Sequence, residues 1–381
     1  MRLLHTSDWH LGRQFHNVSL LDDQRFVLQQ LLDIVEQDAV DAVIVAGDVY
    51  DRAIPPAEAV TLLNETLYSL CVERKVPVVM ISGNHDSAQR LGFGSGLMAG
   101  AGLHLISQLD QVAEPVMLRK GDESVAVFGV PYCTPELVRD FSGEDVRSFD
   151  AAHTWLVDQA SAARPEAVPA VLVSHCFVAG GEASESERPL SVGGADTVRW
   201  EPMKGFDYVA LGHLHAPQWR GAEHLRYSGS LLKYSFSEVS QRKGVVLVDL
   251  EAGKPARISE RPLQPRRDMR VLEGAFSDVL AQAETDEAPD DYLLVRLTDK
   301  HAILDTLAQL REHYPNVLHL EKPGLYEAGE ARLSSREQLK RSEIDLFADF
   351  YQQVQGEPMT EEQQAAVAKA VSDLHRAEAE Q

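Results

Sequence analysis

The sequence predicts an α/β fold built on a sheet of mostly parallel, buried strands. Short runs rich in valine, isoleucine and alanine, such as 41–46 and 78–81, alternate with longer segments that have helical spacing. Runs of this kind indicate strands buried on both faces, and strands that alternate with helices are typical of parallel sheets. With 381 residues, 44% of them hydrophobic, the chain is long enough for two or three domains.

The first hundred residues supply the strands and helices of one sheet. The predicted strands are 2–6, 41–46 and 78–81, and the predicted helices are 21–37 and about 57–74, the second preceded by two prolines. Residues 90–104 are rich in glycine but lack the spacing of a phosphate-binding loop. We interpret them as closely packed helix and loop, with a contact between two copies of the chain as the alternative.

The following segments predict a second sheet. A hairpin is expected at 115–118 and 125–130, a helix near 149–162, and further strands at 167–173, 206–211, around 226–230 and at 244–250. Residues 180–198 form a long polar loop, and long loops in compact domains are often functional or mobile.

The composition changes near residue 262, and the residues 261–267 (RPLQPRR) are typical of a linker. Beyond it we expect a small α/β domain with the order strand 269–273, helix 275–284, strand 292–298, helix 301–312 and strand 316–321. Residues 323–341 are polar and loop-like. Two tail helices are predicted, one with an apolar stripe that includes Phe347 and Phe350, the other opened by a capping box of Thr360 and Gln363.

Polar side chains follow five of the buried strands at the point where each strand ends. Catalytic side chains commonly lie on loops at strand ends, and residues two apart on an extended backbone point the same way. Each piece alone has an ordinary interpretation, such as a turn, a helix cap or a satisfied core histidine. Their conjunction predicts one site, composed of Asp8, His10, Asp48, Asn84, His85, His175, His213 and His215.

Imidazole and oxygen ligands without a thiolate suit manganese, iron or zinc at a hydrolytic centre. Two such ions about 3.5–4 Å apart can hold the attacking and leaving oxygens of a phosphoryl displacement. Two divalent ions with the carboxylates of Asp8 and Asp48 would leave a net positive charge that attracts phosphate.

The bulk composition limits the alternatives. No run of apolar residues is long enough to span a membrane, and the N-terminus lacks the apolar stretch of a signal peptide. Three cysteines without a CxxC favour a reducing cytoplasm and disfavour structural zinc or disulfides. The net charge of −23 has the wrong sign for a nucleic-acid binder, unless metal ions or a basic partner supply positive charge.

These motifs resemble those of the calcineurin-like metallophosphoesterases, and most closely the bacterial DNA-repair nuclease subunits of that family. The resemblance rests on Asp8-x-His10, Gly47-Asp48, 83–86 (GNHD), His175 and 212–215 (GHLH), together with the opening 4–12 (LHTSDWHLG). It implies a four-layer sandwich of two mixed sheets flanked by helices. It also implies a nuclease domain at 1–262, a DNA-capping domain at 267–323, and a linker with C-terminal helices at 324–381 that dock on an ATPase partner.

The resemblance also implies a role for each site residue. One ion would be held by Asp8, His10 and His215, the other by Asn84, His175 and His213, and Asp48 would bridge them. His85 would stabilise the phosphate or protonate the leaving oxygen, and Asp86 would orient its imidazole. Asp51 stands where some relatives have a histidine. The implied cofactors are two manganese ions, and the implied assembly is a homodimer with two ATPase subunits acting on DNA ends and hairpins.

Two other functions remain open at this point. A small-molecule or protein phosphatase would use the same site, because the motifs recognise phosphate and not the rest of the substrate. A DNA-end tethering protein with a vestigial site is the non-enzymatic alternative.

Overall fold

The computed structural model describes residues 1–188, 196–301, 303–323, 347–348, 351–352 and 358–379. The chain divides into two units, Met1–Arg266 and Arg267–Gln381. The predicted first tail helix lies largely outside the described residues. In the described part of the chain, no helix combines the length and apolar character needed to cross a membrane.

The first unit contains two six-stranded mixed sheets. The strands are β1 (Arg2–Thr6), β2 (Gln14–Phe15), β3 (Val18–Ser19), β4 (Ala42–Ala46), β5 (Val78–Ile81), β6 (Leu103–Ile106), β7 (Val116–Lys120), β8 (Glu123–Val130), β9 (Ala170–His175), β10 (Phe177–Val178), β11 (Thr197–Val198), β12 (Tyr208–Gly212), β13 (Gln218–Arg220), β14 (Ala222–Tyr227), β15 (Gly244–Asp249) and β16 (Arg257–Pro262). The first sheet has the order β16-β15-β1-β4-β5-β6 and the second β13-β14-β12-β9-β8-β7.

The helices of this unit are α1 (Leu21–Gln37), α2 (Ala57–Tyr68), α3 (Ala88–Leu91), α4 (Ser95–Met98), α5 (Pro135–Ser142) and α6 (Phe149–Ala162). A π-helical turn, Ser69–Glu73, continues α2, so the helix predicted at 57–74 is regular only in its first part. Proline follows the N-cap Thr134 at the start of α5, a helix that the sequence analysis missed.

The main core lies between the two sheets. One face of the first sheet contributes Leu3, Ile44 and Val79, and the facing strands of the second contribute Val127 and Val171, all fully buried. A separate cluster packs α6 against the other face of the second sheet. The outward-facing strand residues of the first sheet are also buried, as are the inner faces of α1 and α2. This layering confirms the predicted α/β fold with two mixed sheets flanked by helices.

The second unit contains a three-stranded parallel sheet. Its elements are β17 (Met269–Gly274), α7 (Phe276–Ala283), β18 (Tyr292–Leu297), α8 (Thr306–His313), β19 (Val317–Glu321) and α9 (Glu361–Ala379). The sheet order is β17-β18-β19, and α7 and α8 pack on it through an apolar cluster around Val295 and Leu310. The capping box at the start of α9 is present, since Thr360 and Gln363 exchange hydrogen bonds of 2.8 and 3.3 Å.

The parallel strands position the site. Within the first sheet β1, β4 and β5 are parallel neighbours, and within the second β9 and β12 are parallel neighbours. The carboxyl ends of parallel strands lie at the same edge of a sheet, where α/β proteins usually bind ligands. All the predicted site residues lie at or just after these five ends.

Candidate metal centre

The loops after β1 and β4 are joined by backbone hydrogen bonds. The Asp8 amide donates to the Gly47 carbonyl at 3.1 Å, and the His10 amide donates to the Asp48 carbonyl at 2.9 Å. Both loops therefore leave the sheet side by side. The carboxylates of Asp8 and Asp48 and the imidazole of His10 come together there, and all three are almost fully buried.

Four of the predicted ligand residues have a left-handed backbone. The φ angles are 52° at Asp8, 45° at His10, 49° at Asp48 and 106° at His213. Residues other than glycine rarely adopt this backbone conformation, and each one destabilises the fold by about 1–3 kcal/mol. The fold therefore stores strain at the positions that aim these side chains into one space.

The first group of candidate ligands comprises Asp8, His10 and His215. Each offers a ligand atom, and these atoms lie within 4.8 Å of one another. The Nε2 atoms of His10 and His215 are 3.1 Å apart. The Asp8 carboxylate is fixed by the hydroxyl of Ser7 at 2.5 Å and by the backbone amide of His213 at 3.0 Å.

The second group comprises Asp48, His175 and His213, whose ligand atoms also lie within 4.8 Å of one another. The Asn84 Oδ1 atom joins them, at 2.8 Å from His175 Nε2 and 3.2 Å from His213 Nδ1. Asp48 Oδ2 is 3.5 Å from His175 Nε2 and 3.7 Å from His10 Nε2. It therefore lies between the two groups, where a bridging ligand must be.

The polarity of these contacts fits cations. The Nδ1 atom of His175 must donate to the Ala46 carbonyl at 2.9 Å, because a carbonyl oxygen only accepts. In a neutral ring its Nε2 then presents a lone pair toward Asn84 Oδ1, itself a lone-pair atom. Lone pairs that face one another require a proton or a metal ion between them. Divalent ions fit this donor set of nitrogen and oxygen atoms.

Burial sets the protonation of the centre. It lowers the pKa of His213 to about 3 and that of His10 below its usual value, so both rings keep a free lone pair at neutral pH. Burial also raises the pKa of Asp8 to about 6. Although burial opposes its charge, the adjacent His175 lowers the pKa of Asp48 well below the ordinary value.

A family model for calcineurin-like phosphoesterases matches residues 1–217, which include every candidate ligand. The chain belongs to the calcineurin-like phosphoesterase family. It is a metal-dependent hydrolase, and its centre takes two divalent ions.

A second family model, described as a type 5 capsule protein repressor C-terminal domain, matches residues 265–355. This phosphoesterase is 33% identical over 373 residues to the SbcD component of the nuclease SbcCD from Staphylococcus epidermidis, covering 98% of each chain. It is 31% identical over 377 residues to the same component from Staphylococcus saprophyticus, again covering 98% of each. A dimetal phosphatase structure from Danio rerio overlaps with a TM-score of only 0.39 at 10% identity, over 69% of this chain and 96% of that one.

His85 lies at the margin of this phosphoesterase centre, with 8% of its surface exposed. Its ring contacts that of His10, with centroids 4.6 Å apart. Its Nδ1 atom lies 2.8 Å from the backbone carbonyl of Asp51, which fixes the proton on Nδ1 and leaves Nε2 free. The backbone amide of His85 donates to Asp48 Oδ1 at 2.8 Å, so this residue also steadies the Asp48 carboxylate.

The expected role of Asp86 was wrong. Its carboxylate does not orient His85 but accepts the backbone amides of Val49 at 3.1 Å, Tyr50 at 2.9 Å and Gly83 at 2.9 Å. Asp86 thus ties the loop after β4 to the loop after β5. A carboxylate surrounded by backbone amides has no oxygen directed at the ring, and the Asp51 carbonyl takes that position instead.

Asp51 also faces the first group of ligands. Its Oδ1 atom is 3.8 Å from the Nδ1 atom of His10 and 3.2 Å from the Arg13 guanidinium. The Nδ1 atom of His10 is buried and has no hydrogen-bond partner. The carboxylate of Asp51 is therefore the nearest anion to the unused nitrogen of that ring.

Two glycines leave room for the ring of His175. Gly47 has a φ of 88°, and a Cβ atom added there would lie 2.3 Å from His175 Nδ1. A Cβ atom at Gly212 would lie 1.8 Å from the Ala46 carbonyl oxygen that accepts from that ring. The glycines of the Gly-Asp and Gly-His motifs thus let the two sheets approach closely at the centre.

Sequence reasoning missed a partly buried polar network around His215. It contains Ser184, Ser186, Glu187, Glu238 and Lys243, of which Glu238 is fully buried. Burial disfavours the charge of Glu238, but the His215 ring and Lys243 together lower the pKa of this carboxyl below its ordinary value. In the sequence these residues belong to polar, loop-like stretches, and no local pattern marks a charged residue that folding will bury.

Proposed function

We propose that this phosphoesterase is a DNA nuclease of the SbcD type. It would act as an exonuclease on double-stranded ends and as an endonuclease on single-stranded and hairpin DNA, with the ATPase SbcC, in repair, recombination and replication. The observation that carries this proposal is the alignment with SbcD components of SbcCD nucleases over 98% of each chain. A phosphatase that shared only the metal centre would have no need of the second unit.

The proposed ligands are Asp8, His10 and His215 for one ion and Asn84, His175 and His213 for the other, with Asp48 between them. When bound, the two ions supply Lewis acidity that polarises a phosphodiester and favours loss of a proton from water. Among the metals that this mixed nitrogen and oxygen set suits, we propose manganese, the metal that the resemblance to the bacterial DNA-repair nuclease subunits implies.

His85 would transfer a proton to the leaving oxygen. The Asp51 carbonyl holds its Nδ1 proton, so the ring is fixed in orientation and its Nε2 atom is the one available to substrate. Its exposed fraction of 8% supports a role in contact with substrate at the margin of the centre. The Asp86 carboxylate supports this arrangement indirectly, through the loop that carries Asn84 and His85.

The acidic composition favours a division of labour with the partner. With 59 acidic and 36 basic residues, the chain would rely on SbcC for most phosphate contacts and would itself supply the cut. The isolated chain should therefore bind duplex DNA weakly and with a shallow dependence on salt. Tight, steeply salt-dependent binding by the chain alone would contradict this.

We also propose a homodimer that joins two SbcC molecules. Phe93 and Leu97, both in the glycine-rich segment 90–104, are 82% and 89% exposed, and together they would offer apolar surface to a second copy. The capping domain would be 267–323, and the C-terminal helices in 324–381, including α9, would dock on SbcC. Three free cysteines favour the cytoplasm.

Replacement of His85 by glutamine tests the proposal. Glutamine cannot act as a general acid, so manganese-dependent cleavage of hairpin DNA should fall by about 10²-fold or more, while the ions still bind. An unchanged rate would contradict the role of His85. A parent chain that hydrolyses small phosphate esters but no DNA would favour a general phosphoesterase, and a parent with no hydrolysis would favour a DNA-end tethering protein.

A further inference from the structure

His215 has four polar groups: the backbone amide, the backbone carbonyl, Nδ1 and Nε2. The partly buried network around it makes hydrogen bonds to the first three. The backbone amide donates to Glu187 Oε1 at 2.7 Å, and the backbone carbonyl accepts from Lys243 Nζ at 2.7 Å. The Nδ1 atom lies 2.6 Å from the Ser186 hydroxyl and 3.4 Å from Glu238 Oε1. Only Nε2 is left for the metal centre, where it faces His10.

The direction of each proton in this network follows from charge. Glu238 pairs with the Lys243 ammonium group at 2.6 Å, so its carboxylate oxygens accept hydrogen bonds and the Ser186 hydroxyl donates to Oε1. The Ser186 oxygen then accepts from Nδ1 of His215. The chain of bonds from Glu238 through Ser186 to the ring fixes the tautomer that carries its lone pair on Nε2.

The two oxygens of Glu238 serve different partners. Oε1 faces Ser186, Ser184 and the His215 ring, whereas Oε2 accepts from Lys243 Nζ at 2.6 Å. Lys243 is buried as well, with 6% of its surface exposed, and also donates to Ser230 at 2.8 Å. The ammonium group keeps the buried carboxylate charged without occupying the oxygen that faces the ring.

We propose that Glu238, acting through Ser186, is the positioning group for His215 and thereby sets the affinity of one of the two ions. The proposal rests on the proposed assignment of His215 as a metal ligand. It assigns a task to the polar loop before residue 189: this loop supplies the hydroxyl that completes the link between a buried acid and a ligand. The partners of metal-binding histidines typically contribute about 10–100-fold to affinity.

The experiment is a titration of the full chain with manganese, without DNA, in a calorimeter. The parent should bind two ions. The Ser186→Ala variant removes the linking hydroxyl without leaving a charge unpaired, and one site should weaken by about 10-fold while the other stays unchanged. Glu238→Gln should weaken the same site by a comparable or larger factor, because the amide is a weaker acceptor.

Two matched variants control the measurement. Ser186→Thr keeps the hydroxyl and should restore the parental affinity, and Glu223→Gln removes an equal charge from an exposed strand position and should change neither site. If Ser186→Ala and Ser186→Thr bind both ions like the parent, the proposal is wrong. It is also wrong if both sites weaken together with a lower melting temperature, which would indicate a purely structural ion pair. Should Glu238→Gln fail to fold, the serine pair decides.

This result is separable from the nuclease activity. A parent that binds two manganese ions but cuts no DNA would contradict the proposed function and leave the positioning role intact. A parent that binds no manganese would contradict the positioning role directly.

Discussion

The two halves of the metal centre are supported in different ways. In the half that contains Asn84, His175 and His213, the key ring is held by a backbone carbonyl at the end of β4 and is packed against glycines. In the half that contains Asp8, His10 and His215, the supports are side chains, among them Ser7, Ser186 and Glu238. A buried glutamine, Gln24 of α1, holds the Trp9 and His10 carbonyls in the same way.

This difference shows which supports of the centre can be changed by single substitutions. A backbone carbonyl in a sheet cannot be removed by substitution, so the first of these halves can be disturbed only through close packing or through its loops. The other half depends on polar side chains that can be replaced singly. We expect substitutions in the two halves to separate metal affinity from fold stability.

The largest effect should come from Asp48→Asn, which affects both halves at once. Asp48 Oδ2 lies 3.7 and 3.5 Å from ligand nitrogens of the two groups. Since metal ions contribute several kcal/mol to such reactions, DNA cleavage should fall by about 10³-fold or more. Manganese titration should show both sites weakened, and loss of one ion with the other unchanged would refute a bridging role.

Asp86→Asn should lower the metal affinity of the half that contains Asn84, although Asp86 is not itself a proposed metal ligand. The amide can replace only part of a carboxylate that accepts three backbone amides. We expect a loss of about 10-fold in the affinity of the ion near Asn84, measured by the same titration. An equal change at the site of His215 would show that the two halves are not separable.

Gly212→Ala should act on stability more than on affinity. Its Cβ atom would lie 1.8 Å from the Ala46 carbonyl oxygen, so β12 and β4 would have to move apart. The free energy of unfolding should fall by about 1–3 kcal/mol, as measured by urea denaturation. The exposed Gly121, where an added Cβ meets nothing within 4 Å, provides a control site, although its φ of 57° adds some strain of its own.

The smallest effect concerns pH. His153 is buried beside β9, its Nε2 atom 2.8 Å from the Ser174 hydroxyl, and burial lowers its pKa to about 4. Between pH 6.5 and 4 the unfolded chain therefore binds more protons at this residue than the folded chain, and stability falls as the pH falls. His153→Gln should reduce that slope, for the metal-free chain, by up to about 1.4 kcal/mol per pH unit. An unchanged slope would indicate that His153 has the same pKa in the folded and unfolded states.

The convergence of the strand-end side chains could be predicted because the pattern behind it is local and repeated. Each buried run ends in polar residues, and parallel strands bring such ends to one edge, so Asp8, His10, Asp48, Asn84 and His175 could be placed together without coordinates. The predicted hairpin of β7 and β8 and the predicted capping box of Thr360 and Gln363 are confirmed. Both could be predicted because short-range sequence patterns specify them.

The parts that failed depend on tertiary contacts. The edge strand β16 (RISERP) is mostly polar and exposed and was taken in part for a linker, because an exposed edge need not be hydrophobic. The helix expected at 301–312 begins only at Thr306. The partner of His85 is a backbone carbonyl, and the Glu238 network joins residues far apart in the sequence. Neither leaves a pattern in the order of amino acids.

The left-handed backbone at Asp8 and Asp48 has a consequence for durability. Glycine adopts these φ angles without cost, and it would also remove two buried acidic groups from a crowded space. A doubly substituted chain, Asp8→Gly with Asp48→Gly, should hold no ions and cut nothing. Relief of the backbone strain should offset part of the stability lost with the hydrogen bonds that the two carboxylates accept from the amides of His213 and His85. The architecture thus carries a conformational cost at the positions that aim its polar side chains into one space.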